Sequence, residues 1–354
     1  MRALAVLTLA VAAAGPLYAQ RDSGTVPIAG FRFASGETLP DLHLYYRTIG
    51  RPRRDAAGVV RNAVLILHGT GGTGAQFFSP AFAELYAPGA PLDTSTYYII
   101  LPDDVGHGHS SKPSDGLHAR FPHYGYADMV ALEYRLVTEG LHVNHLRLVM
   151  GTSMGCMHSW LWAERYPDFM DGAVPLACAP TQIAGRNRMM REMIENDIRN
   201  DPAWQGGDYA TQPPGLAAAQ QMLFMMTSSP WQLQRIAPTR DSADAYITRW
   251  IAARAAASDA NDMLYQFDAS RDYDPSADLE RITAPVLAIN SADDVVNPPE
   301  LGLMEKLMPR VKNGRYVLIP TSPVTRGHGT HTVAAAWKQW FAPFVAGLPA
   351  RPAR

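Results

Sequence analysis

A serine flanked by glycines, Gly151-Thr152-Ser153-Met154-Gly155, separates an apolar run at Leu146–Met150 from a helix-like stretch that starts at Cys156. Strand, G-x-S-x-G, helix is the pattern of a nucleophile elbow, a tight turn that holds a serine in a strained conformation at the end of a strand. The glycines are needed because a side chain on either flank would collide with the neighbouring strand or helix. A serine hydroxyl is a weak nucleophile. It needs a base within hydrogen-bond reach, itself oriented by a third group, in the chain order Ser, Asp or Glu, His. Three histidines follow Ser153: His158, His328 and His331. His158 lies one turn into the elbow helix, where its side chain points away from the serine. Thr325-Arg-Gly-His-Gly-Thr-His331 follows the last apolar strand and places His328 as the base, with His331, one helical turn on, as the alternative. The acid belongs after the preceding strand, in Asn290-Ser-Ala-Asp-Asp-Val-Val-Asn-Pro298. Asp293 and Asp294 are adjacent, so only one can face the histidine, and an Asp followed four residues later by Pro selects Asp294. The plainer alternative makes both of them helix caps ahead of Pro298. An oxyanion needs two backbone N–H groups; Met154, after the nucleophile, and Thr70, in Leu67-His-Gly-Thr-Gly-Gly-Thr-Gly74, are the expected donors.

Two competing readings are set aside. Gly69-x-Gly71-x-x-Gly74 is formally a dinucleotide fingerprint, but two strands precede it, whereas that fingerprint belongs to a first βα unit. His107, His109, His328 and His331 give only H-x-H and H-x-x-H spacings, without cysteine or a helical H-E-x-x-H, so no metal site is expected and these are read as hydrogen-bonded loop histidines. No cofactor is expected.

These residues need a scaffold. Two alternating segments, near Ile28–Phe33 and Leu42–Ile49, suggest an antiparallel edge. Short apolar strands then alternate with helices, at Ala63–Leu67, Tyr97–Leu101, Leu146–Met150, Gly172–Leu176, Pro285–Asn290 and Arg315–Ile319. Such alternation indicates a mostly parallel sheet with helices on both faces. The elbow strand is fifth in that count, where an α/β-hydrolase fold carries its nucleophile. Between residues 179 and 281 the alternation stops, and the stretch reads as a helical cap inserted between a first core segment, 20–178, and a second, 282–347. Met222, in Met222-Leu-Phe-Met-Met226, is a candidate for lining an acyl pocket, since Met adapts to varied apolar shapes; packing within the cap is the competing use. The tail from Leu348 onward reads as frayed.

Several stretches resemble the homoserine O-acetyltransferase-like family of the α/β-hydrolase superfamily. Leu92-Asp-Thr-Ser-Thr-Tyr-Tyr-Ile-Ile100 is similar to that family's "DT..YFVI", Asp128-Met-Val130 to its "DMV", Gly151–Met157 to "GGSMGGM", and Asp201-Pro-Ala-Trp-Gln-Gly-Gly-Asp-Tyr209 to "DP.W..G.Y" in its cap. Asp294–Pro298 resembles its acid loop and Gly327-His328 its histidine loop. The resemblance covers roughly residues 40–345. It implies an α/β-hydrolase fold, acyl chemistry, Ser153, Asp294 and His328 as the triad, and a cap arginine for an acceptor's carboxylate, for which Arg191 stands beside Arg186 and Arg188. The chain departs from the family at Gly329, where Asp is usual, and at Cys156, where Gly is usual.

Met1-Arg2 and the apolar run Ala3–Ala14, then Pro16-Leu-Tyr-Ala19, have the form of a secretory signal cut after Ala19, so residues 1–19 are expected to be a signal peptide and the mature protein to be exported to the periplasm or outside. Homoserine and acyl-CoA are cytosolic metabolites, and export therefore favours hydrolysis over transfer. The expected activity is that of a serine hydrolase cleaving a carboxylic ester or related acyl compound through an acyl-enzyme. An O-acyltransferase is the first alternative and a non-catalytic binding protein on the same fold the second. The formal net charge of −2 offers no basic excess for nucleic acid, and no other apolar stretch reaches membrane length. The partner is a small acyl substrate, and pairing of two copies through the cap is open to the chain. Cys156 and Cys178 are the only cysteines; export permits a bridge, but two thiols packed under the elbow are the favoured reading.

Overall fold

The computed structural model describes residues 21–351. Eight strands form one sheet: β1 (Arg21–Pro27), β2 (His43–Ile49), β3 (Ala63–Leu67), β4 (Tyr98–Pro102), β5 (Leu148–Thr152), β6 (Ala173–Leu176), β7 (Val286–Ser291) and β8 (Gly314–Ile319). Their order is β1-β2-β4-β3-β5-β6-β7-β8; β1 and β2 run antiparallel to their neighbours, and β3 to β8 are mutually parallel. The edge forms one segment earlier than the alternation suggests. Arg21–Pro27 is the strand, while 28–33 is a loop whose Ile28 and Phe33 are buried under it and whose Arg32 makes a single bridge to Thr38. Those apolar residues alternate because a loop folds over them, not because they are a strand.

The parallel strands are continuous apolar runs because both faces are covered. In β3, Ala63, Leu65 and Leu67 join one core and Val64 and Ile66 the other. The first core packs under α2 (Tyr126–Arg135), α3 (Met154–Arg165) and α9 (Leu303–Leu307); the second under α1 (Pro80–Ala83) and α10 (Lys338–Ala346). Between β6 and β7 come five helices: α4 (Gly185–Arg199), α5 (Pro214–Thr227), α6 (Pro230–Ile236), α7 (Arg240–Ala256) and α8 (Ala260–Asp268). They build a third apolar core of their own around Ile194, Ile198, Leu216 and Phe267.

The cap motif at 201–209 is a clasp. Asp201 accepts from the Ala203 and Gly215 amides, the Trp204 indole donates to Asn261 Oδ1 (2.8 Å), and the Asn261 amide donates to the Tyr209 hydroxyl (3.1 Å). Gly207, at φ +100°, lies so close to the core that a Cβ there would meet Ala119 Cβ at 2.5 Å. The tail is not frayed at its start. Leu348 is buried, and Arg351 donates its amide to Asp171 (2.8 Å) and its guanidinium to the Pro167 and Met170 carbonyls. No helix among the described residues is long and apolar enough to cross a membrane. The expected signal segment, 1–19, lies outside the described residues.

Candidate active site

Ser153 sits between β5 and α3 at φ 56°, ψ −109°, a left-handed conformation that costs a non-glycine residue energy and holds the side chain out from the turn. The flanking glycines are required by distance. A Cβ on Gly151 would meet the Gly155 carbonyl oxygen at 2.1 Å, and one on Gly155 would meet the Leu67 carbonyl oxygen at 2.1 Å. The Gly155 amide donates to the His68 carbonyl (2.9 Å), which ties the loop after β3 to the elbow helix. Thr70 follows on that loop, and Met154 is buried directly after the serine.

His328 Nε2 lies 2.8 Å from Ser153 Oγ, and His328 Nδ1 lies 2.8 Å from Asp294 Oδ2. Asp294 also accepts from the Val296 amide (2.8 Å) and the Asn297 side-chain amide (3.0 Å). Burial alone would raise its carboxyl; the His328 imidazole and these donors outweigh it and hold the carboxyl below the usual range. An ionised acid at Nδ1 fixes the tautomer that leaves Nε2 free to accept the serine proton. Asp293 faces elsewhere. It accepts from Ser291 Oγ, Thr325 Oγ1 (2.8 Å) and the Gly327 amide (2.9 Å), so it moors the loop that carries His328. His331 is half-buried with its ring centroid 5.1 Å from that of His328, and loss of hydration pushes its imidazole down to about 3, which keeps it neutral. His158 hydrogen-bonds to Glu133 (2.7 Å), away from the serine.

A pocket of about 800 Å³, counting its part open to solvent, holds Ser153 and His328 together with Arg191, Asn297, Tyr273 and Tyr316. Arg191 is buried against Phe267, donates through Nε to Asn187 (3.0 Å), and has no hydrogen-bond partner for Nη1 among the described residues. The buried Tyr126 hydroxyl and Thr70 Oγ1 are also unpaired, and Arg191 and Thr70 both lie beside Tyr126. Arg186 donates to the Val295 carbonyl, while Arg188 pairs with Glu192 and Glu195, which singles out Arg191 as the cap arginine free to meet a ligand. Met222 is not in the pocket. It packs on the apolar core of the cap, on a helix whose neighbours are α4 and α7.

Cys156 and Cys178 form a disulfide with Cα atoms 5.9 Å apart, not two thiols. It joins the first turn of α3 to the loop just after β6, where Cys178 lines the pocket beside Ser153. Both sulfurs are buried, as thiols would be, so burial alone could not tell the two states apart. Asn297 lies inside the legible segment Asp294–Pro298, whereas no sequence pattern marks the mooring by Asp293 or the place of Tyr126.

The model of the α/β-hydrolase fold family matches residues 62–322. The chain belongs to that family, and it is an enzyme of the family. It is 29% identical over 288 residues to a probable acyltransferase of Methanothermobacter thermautotrophicus, covering 80% of this chain and 87% of that one. To the homoserine O-acetyltransferase of Natronomonas pharaonis it is 31% identical, over 59% of this chain and 56% of that protein's length. The crystal structure of esterase E22 superposes with a TM-score of 0.79 at 21% identity, over 92% of this chain and 100% of that one, a likeness of fold. This α/β-hydrolase thus has relatives named for acyl transfer and a structural neighbour named for ester cleavage.

Proposed function

We propose that this α/β-hydrolase is an exported serine hydrolase that cleaves a carboxylic ester through an acyl-enzyme on Ser153. The observation that carries the reading is the unbroken relay Ser153 Oγ–His328 Nε2 and His328 Nδ1–Asp294 Oδ2, both at 2.8 Å, at the mouth of a pocket. In the proposed mechanism Ser153 Oγ attacks the ester carbonyl carbon while His328 Nε2 takes its proton. The Met154 and Thr70 amides hold the oxyanion. His328 then returns the proton to the departing alkoxide as the C–O bond breaks. Water attacks the acyl-enzyme with His328 again as base, releasing the acid and restoring Ser153. Arg191, with an unpaired nitrogen in the pocket, would orient a substrate that carries a carboxylate. The signal-like start of the sequence and a disulfide beside the nucleophile agree with an oxidising compartment.

Acyl transfer to an alcohol is the second reading, favoured by Arg191 and by the names of the relatives. The two are separated by incubating mature protein with acetyl-CoA and homoserine, then with chromogenic esters of graded acyl length and no acceptor. Steady ester hydrolysis without appreciable O-acetylhomoserine is expected; robust transfer with negligible hydrolysis would reverse the order of the two readings. Secretion is tested separately, by sequencing the N-terminus of the exported protein, expected at Gln20.

A further inference from the structure

Beneath the elbow helix, five ionisable side chains are packed with no lysine or arginine paired to any of them among the described residues. Asp104 follows β4, Glu133 comes from α2, His158 from α3, and His68 and His107 from the loops after β3 and β4; each is at most 1% exposed. The neighbouring Asp103 shows the ordinary solution, a guanidinium from Arg47 at 2.6 Å and the Gly74 amide at 2.9 Å. Asp104 has neither. Both of its carboxyl oxygens are buried without a hydrogen-bond donor.

The histidines do not supply one. His68 accepts the Asp104 amide at Nε2 (3.1 Å), so the nitrogen 3.6 Å from Asp104 Oδ2 presents a lone pair, not a proton. His107 places Nδ1 at the Val105 carbonyl (3.1 Å), and its Nε2 lone pair is unpaired. His158 Nδ1 lies 2.7 Å from Glu133 Oε1 and 3.7 Å from Asp104 Oδ2.

We propose that Asp104, Glu133 and His158 are the ligands of a structural divalent cation of the zinc class. One atom from each lies within 4.8 Å of the other two. Nitrogen and carboxylate oxygen bind zinc at about 2.0–2.2 Å, so atoms that share an ion stand about 3–4 Å apart; separations of 2.7 and 3.7 Å reach that with shifts of a few tenths of an ångström. A divalent ion balances the two carboxylates and satisfies the oxygens of Asp104. Glu133 Oε2 already accepts from the Trp162 indole, the kind of outer hydrogen bond that orients a ligating carboxylate. None of the three belongs to an H-x-H or H-x-x-H spacing, because the site draws one ligand from each of three elements. An ion there would pin β4, α2 and α3 together under the nucleophile without entering the reaction, and, being fully enclosed, it would be taken up as the chain folds.

The competing way to neutralise the pair is a proton shared between Asp104 and Glu133, and the two make opposite predictions. The test begins with elemental analysis of whole purified protein, then unfolding with a chelator and refolding with zinc chloride, with cobalt chloride, or with neither. The expected results are about one zinc per chain, refolding yield that rises with zinc but not with magnesium, and a visible d–d absorption in the cobalt-refolded protein. Asp104→Asn is expected to lower metal content at least tenfold and to lower Tm. Metal-free protein that refolds equally well without zinc, an Asp104→Asn variant of unchanged or raised Tm, or zinc retained in full by that variant would each overturn the site. The cobalt spectrum of the parent keeps the test decisive if the variant fails to fold.

Discussion

At the scale of single residues, two adjacent carboxylates do different work. Asp294 holds the imidazole and Asp293 holds the loop that carries it. Asp294→Asn is expected to lower kcat by about 10⁴, the loss seen when a serine-protease triad has its imidazole in the wrong tautomer. Asp293→Asn faces the Gly327 amide and Thr325 hydroxyl with a donor on one side, and a smaller loss of about 10- to 100-fold is expected from a loosened His328. Steady-state kinetics on the two variants check the order, and a more damaging Asp293→Asn would exchange their roles. Ser153→Ala is expected to cost on the order of 10⁶ in kcat with the fold intact, if the triad acts as a unit; retention of more than a few per cent of activity in pure variant would remove Ser153 from the mechanism.

At the scale of elements, the elbow is held by contact and by covalent chemistry. Gly155→Ala would put a methyl 2.1 Å from the Leu67 carbonyl oxygen, and β3 cannot retreat because it pairs on both sides. The variant is expected to be insoluble or unfolded, as circular dichroism would show. The disulfide spans 22 residues, α3 and β6 included. Replacing both cysteines by serine is expected to lower stability by about 3 kcal/mol on the chain-entropy model, measured by urea unfolding. Elements were legible wherever an apolar run was buried on both faces, as in β3 to β7, and the elbow was legible because its glycines answer a local steric demand. The first strand was misplaced because apolar residues under a loop imitate an alternating strand. Met222 was misjudged because a Met-rich helix serves a cap's own core as well as it serves a pocket. Asp104 and Glu133 carried no signal, since their partnership is made by three elements distant in sequence.

Across the whole molecule, charge pairing ties the far end of the chain to its middle. Asp171 accepts from His145 (3.0 Å), Arg147 (3.0 Å) and the Arg351 amide (2.8 Å). Burial alone would raise its carboxyl, but these partners hold it below the usual range. A carboxyl whose folded pKa lies below its unfolded value of about 4 contributes stability above that value and loses it as pH falls through the folded pKa. Asp171→Asn is therefore expected to be less stable than the parent at pH 7 and to converge on it below about pH 4. Urea midpoints across a pH series test this; a deficit that stays constant with pH would mean that Asp171 contributes by packing alone.

The cap also reaches the base. Gln232, on α6, donates its side-chain amide to the carbonyls of Pro323 and Thr325 (3.0 Å each), and Ser229 Oγ approaches Asp293 at 3.5 Å. For anyone building chimeras, the cap is thus not a cassette with two clean seams at β6 and β7. A foreign cap brings its own residues to the positions of Ser229 and Gln232, and two backbone carbonyls beside the catalytic loop lose their donor. Such a graft changes the setting of His328 along with the shape of the pocket, so a recombinant design has to carry 322–328 with α6 as one inherited unit.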